Sequence, residues 1–109
     1  MKILSMMNIF AKQRATVIVR QPHGLHMRPS AAIAKLTSKT DKPLYFSTGK
    51  SGWQNVRNSL LSVLLMNIQE GTKLKIKASK KYPKDIFDKI INLISSDDVN
   101  ICRRYINNA

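Results

Sequence analysis

The chain is short of the residues that most often carry chemistry. Its single cysteine, Cys102, rules out an internal disulfide and a cysteine-based zinc site. The residue is read as a small apolar filler or an incidental thiol. Acidic side chains number 6 against 19 Lys and Arg, so the formal net charge is +13. No apolar run approaches the roughly 20 residues of a membrane span, and stable membrane insertion is not expected. Aromatic residues make up only 6% of the chain. In sequence they do not alternate with basic residues as stacking platforms for nucleic acid would. The surplus charge is read first as a solvated basic surface, with a basic nucleic-acid-binding module as the weaker alternative. Lys73, Lys75 and Lys77 alternate with Leu74, Ile76 and Ala78, as on the wet face of a strand.

What is present supports one domain with a modest core in 109 residues. The expected order is β-α-β-β-α-β-α. Strands are predicted at Thr16 to Arg20, Leu44 to Thr48, Trp53 to Val56 and Lys73 to Ala78, with Gly49 and Gly52 framing the turn between the second and third. Helices are predicted from Met27 to Ser38, from Ser59 to near Asn67, and from Pro83 onward. Ile33 and Leu36 face inward in the first. Ile86, Phe87, Ile90, Ile91 and Ile94 form an apolar stripe in the third. Beyond Asp97-Asp98, residues Val99, Cys102, Arg103 and Ile106 have helical spacing, which fits a short extra helix or a frayed end. The first ten residues faintly resemble a leader peptide, with Met6 or Met7 as alternative starts.

The most informative segment is Gly24-Leu25-His26-Met27-Arg28-Pro29. Thr16 to Arg20 reads as a strand, and Gln21-Pro22-His23-Gly24 as a turn. Ser30 to Leu36 is rich in good helix formers. Proline suits the first helical turn, where its missing N–H has no intrahelical partner. His26 is thus expected at or just before a helix N-terminus, where free N–H groups and the dipole favour an anion. Arg28 adds a planar donor fork suited to phosphate oxygens. These parts can hold a phosphoryl group on an imidazole. His23 lies in the turn with no arginine two positions later and is read as a turn residue. A His23–His26 metal pair is not expected, because no Cys, Asp or Glu is near in sequence.

In these residues the chain resembles HPr, the histidine-containing phosphocarrier of the phosphoenolpyruvate-dependent sugar phosphotransferase system. The family's active-site signature matches at Gly24, Leu25, His26, Arg28 and Pro29. A second matching region runs from Asn58-Ser59-Leu60 through Leu64-Leu65 to Gly71-Thr72. The resemblance implies an α+β fold: an HPr-like open-faced β-sandwich, a four-stranded antiparallel sheet with three helices on one face. It implies an HPr-like domain over 15–95 flanked by extensions at 1–14 and 96–109. It implies phosphoryl acceptance on His26 from enzyme I, stabilisation by Arg28, and transfer to enzyme IIA components. The protein would be a cytoplasmic, monomeric, stoichiometric carrier with no metal or cofactor. A regulatory paralogue that binds targets in a phosphorylation-dependent way shares the same site chemistry. By the same resemblance Ser59 matches the family's regulatory site for an HPr kinase/phosphorylase, although a serine there also serves as a plain helix cap. Met27, Ala31, Leu60, Leu61 and Leu64 would line the docking face, and the second helix has almost no polar side.

Overall fold

The alternation Lys-Leu-Lys-Ile-Lys-Ala sets the sheet's two faces. Leu74, Ile76 and Ala78 are buried, while Lys73 and Lys75 are exposed and Lys77 is half-buried. The computed structural model describes residues 12–50 and 52–107, and the leader-like stretch with its alternative starts lies outside them. Four strands, β1 (Gln13–Ile18), β2 (Leu44–Ser47), β3 (Gln54–Asn55) and β4 (Lys73–Ala78), form one sheet in the order β1-β4-β2-β3. Every neighbouring pair is antiparallel. The helices are α1 (Met27–Thr37), α2 (Leu60–Leu65), α3 (Lys84–Ser95) and α4 (Ile101–Asn107).

The expected architecture is therefore present, with differences at its edges. β1 begins at Gln13 because its ladder with β4 extends to the pair Gln13–Ala78, so the expected boundary after residue 14 falls inside a strand. It ends at Ile18, after which the Arg20 N–H leaves the sheet to bond Ile94 O at the end of α3. β3 shrinks to two residues that pair with Tyr45 and Phe46 of β2. A fourth helix, α4, adds to the three that were expected. It packs against α1, and Ile101 and Cys102 join the core. The segment that follows residue 95 is thus built into the same body through α4 rather than frayed.

The core lies between the sheet's inner face and the helices. Leu44, Phe46, Leu74 and Ile76 rise from the strands to meet Ile33 and Leu36 of α1 and Ile90, Leu93 and Ile94 of α3. Each such side chain removed from water contributes about 1.5–3 kcal/mol. Among the described residues, no helix covers the sheet's other face. There the aromatic and basic residues that stand apart in sequence come together: the Lys77 ammonium lies 4.3 Å from the Trp53 ring centroid and 5.8 Å from that of Tyr45. The expectation that aromatics and cations are not interleaved is corrected by strand pairing, which sets Tyr45 opposite Lys77.

Candidate functional site

Gly24 places the loop before α1. It has φ +75, and a Cβ there would run into the carbonyl of Ile68 and crowd the backbone of Gln69 and Glu70. Only a residue without a side chain lets the two loops lie this close. Leu25 then donates its N–H to Ile68 O at 2.9 Å, and Ser30 Oγ donates to Leu25 O at 2.8 Å. These bonds fix the chain on both sides of His26.

His26 is the N-cap of α1 with extended backbone, and its side chain makes no capping bond. The first intrahelical bond runs from Ser30 N–H to His26 O at 3.0 Å. Pro29, in the first turn, has no N–H to leave idle. The N–H groups of Met27 and Arg28 have no acceptor within the helix and face the helix start. No acidic residue occupies that first turn. His26, Met27 and Arg28 are all exposed. The arrangement is a side chain able to attack phosphorus, set where backbone donors and a guanidinium favour an anion.

The His26 and His23 rings meet edge to face, with centroids 5.9 Å apart. His23 itself has φ 67, in the turn as expected. Its backbone N–H donates to Glu70 Oε1 at 3.3 Å, so a carboxylate distant in sequence lies beside the turn after all. Among the described residues, no group of three or more His, Cys, Asp or Glu is placed to hold a metal ion.

A cleft of about 200 Å³ opens beside these residues, lined by His23, His26 and Arg28 together with Gln21, Val99 and Cys102. No local sequence signal places Val99 and Cys102 beside His26. Gln21 is buried, and its side-chain amide donates to Leu93 O and Ser96 O, each at 2.9 Å, and to Asp98 O at 3.3 Å. Its Oε1 accepts from Cys102 Sγ at 3.7 Å. Gln21 therefore ties the loop leading to His26 to the segment entering α4. Burial pushes the Cys102 thiol pKa up, while Arg28 nearby pulls it the other way. Cys102 acts as the apolar filler that was expected, but it fills the wall of this cleft.

Ser59 caps α2: its Oγ accepts the Ser62 N–H at 3.1 Å and donates to Ser62 Oγ at 2.7 Å. α2 packs against α1. Only Val63 of its six residues is buried. Leu61 is 63% exposed and Leu65 75%, with Met27 at 56%. Leu60, Leu64 and Ala31 are half-buried. Leu65, absent from the expected docking residues, is the most exposed of these apolar side chains. A helix apolar on every side gives no sequence signal for which side faces out.

A family model described as the PTS HPr component phosphorylation site matches residues 3–96. Among curated proteins none matches the sequence. The structure is similar to that of a phosphocarrier protein HPr from Bacillus anthracis str. Ames, with 15% identity, coverage of 77% of this chain and 98% of that one, and a TM-score of 0.67. It is similar to HPr-C-His from Thermoanaerobacter tengcongensis at 16% identity, 89% and 98% coverage and a TM-score of 0.65. A Mycoplasma histidine-containing phosphocarrier protein matches at 25% identity, 74% and 90% coverage and a TM-score of 0.64. The first two likenesses bear on the fold alone.

Proposed function

This chain belongs to the HPr phosphocarrier family, and from that premise we propose that it accepts a phosphoryl group on His26 from enzyme I and passes it to enzyme IIA components. The observation that carries the reading is an exposed histidine at an uncapped helix start, with Arg28 two residues on lining the same cleft. A ring nitrogen of His26, the δ nitrogen by family resemblance, attacks phosphorus in line. The new N–P bond forms as the donor's phosphohistidine N–P bond breaks, and the donor imidazole leaves. Arg28 and the Met27 and Arg28 N–H groups hold the transferring oxygens, so the chain's contribution is positioning and electrostatics. No residue of the cleft needs a metal or cofactor for this step.

The exposed apolar surface formed by Met27, Leu61 and Leu65, with the half-buried Ala31, Leu60 and Leu64 beside it, is the docking face for both partners. Ser59, at the start of the helix that carries most of this face, is its regulatory site. A phosphate on Ser59 adds about two negative charges there and repels an acidic partner. That modification requires a kinase acting on the folded protein.

Labelled phosphoenolpyruvate with enzyme I tests the reading. Wild type takes up acid-labile, alkali-stable label, and His26→Ala does not. Label retained by His26→Ala sinks the assignment. The regulatory-paralogue reading shares the site and parts from the carrier reading at the next step: a carrier hands the label to an enzyme IIA domain, whereas a regulator keeps it and changes its binding to a target.

A further inference from the structure

The sheet's outer face concentrates much of the positive charge that the phosphocarrier chemistry leaves unused. β4, an interior strand of the sheet, directs Lys73, Lys75 and Lys77 to this face, about 6.5–7 Å apart along the strand. In the register with β1, Arg14 stands opposite Lys77 and Thr16 opposite Lys75. Lys12 precedes β1 and is exposed. Tyr45 stands opposite Lys77 on the other side, and Trp53, 37% exposed, lies under the Lys77 ammonium. None of the four strands contains Asp or Glu. Desolvation, with repulsion from Lys12 and Arg14, moves the Lys77 pKa below the ordinary lysine value. Like charges are therefore crowded here without an internal counter-charge on the strands, and an external anion relieves that crowding.

We propose that this face binds single-stranded nucleic acid, with Lys12, Arg14, Lys73, Lys75 and Lys77 along the phosphate backbone and Trp53 and Tyr45 offering ring surface to bases. A row of cations beside flat aromatic rings is the combination that such strands need, and it requires no base-specific contact. The shape favours this occupant over two others. A shallow sheet face this broad does not enter the groove of a duplex. An anionic membrane calls for protruding apolar anchors. Among the described residues, the large apolar side chains exposed on this face are Trp53 and Ile18, each only 37% exposed, and neither is such an anchor.

The test is fluorescence anisotropy with the full chain and labelled oligo(U) and oligo(dT) of about 12 nucleotides. A duplex of equal length and vesicles of phosphatidylcholine with phosphatidylserine serve as competitors. Single strands should bind, and log K should fall with log salt at a slope of about −2 to −3.5, as for three to five neutralised phosphates. The double variant Lys75→Gln/Lys77→Gln should lessen that slope by about 1.4. Trp53→Ala should weaken binding at least about fivefold, with Trp53→Phe between it and wild type. Both sets should still accept phosphoryl from enzyme I, which shows that they fold. No single-strand binding at low salt overturns the proposal. So does binding that none of these substitutions changes, or a preference for the vesicles or the duplex over the single strands.

Discussion

α1 and α2 start alike and then diverge. Both follow an N-cap residue with extended backbone, and neither has an acidic residue in its first turn. At α2 the Ser59 hydroxyl closes the helix by accepting the Ser62 N–H. At α1 the cap position is given to His26, which makes no capping bond. The difference follows from what else holds each helix. α1 has 11 residues and buries Ile33, Leu36 and Ala32 against the core. α2 has six residues and buries only Val63, too few turns to stand without help. A well-packed helix can forgo a cap worth about 1 kcal/mol and leave its N–H groups for an anion. A short, poorly buried one cannot.

The sharpest way to break the comparison is to give α1 the cap it lacks. His26→Ser places a hydroxyl where the backbone is already extended. It should abolish acid-labile phosphorylation by enzyme I and, at the same time, raise stability by about 1 kcal/mol. On a domain of this size the melting temperature should rise by about 4–8 °C. Activity and stability then move in opposite directions, as when a functional site carries a local cost. A melting temperature that falls on His26→Ser would show that the imidazole supports the helix start in some other way.

The next effect is smaller and purely kinetic. Arg28→Ala removes the charged donor beside the uncapped start. Loss of one such donor to a transferring group slows the step by about 10²–10³. Arg28 is exposed, so thermal unfolding should hardly change. Rapid-quench measurement of transfer from phosphorylated enzyme I reads the rate directly. A rate equal to wild type would remove Arg28 from the mechanism.

Much of this contrast was legible in the sequence because its signals are local. Pro29 two positions after a helix-starting Met27, alanines behind it, and Ser59 ahead of an apolar run mark two helix starts without any knowledge of the fold. The alternation in β4 likewise reports its two faces over six residues. What was not legible depends on partners distant in the chain. Gln21 looks like a turn residue, yet its acceptors and its thiol donor lie between Leu93 and Cys102, 72 to 81 positions away. No spacing rule reaches that far. The meeting of Trp53 with Lys77 needs the register of three strands. The exposure of Leu65 needs the direction in which an all-apolar helix is pressed against α1. The candidate residues His26 and Arg28 were visible in the sequence, and the placing of Val99 and Cys102 beside them was not.

The smallest predicted effect tests the capped side of the comparison. Ser59→Ala deletes the oxygen that accepts the Ser62 N–H and also leaves Ser62 Oγ without the donor it meets at 2.7 Å. Both groups are near the surface, so water replaces part of the loss. The cost should be about 1 kcal/mol, at the middle of the range for N-cap deletion. Because α2 has little else to hold it, the loss should appear first as faster hydrogen exchange at residues 60–65, ahead of global unfolding. Phosphoryl transfer through His26 should change little, since the Ser59 hydroxyl takes no part in the transfer step. Exchange in α2 that matches wild type would mean the cap contributes nothing measurable. A large fall in transfer rate would instead place Ser59 in the docking geometry even without a phosphate on it.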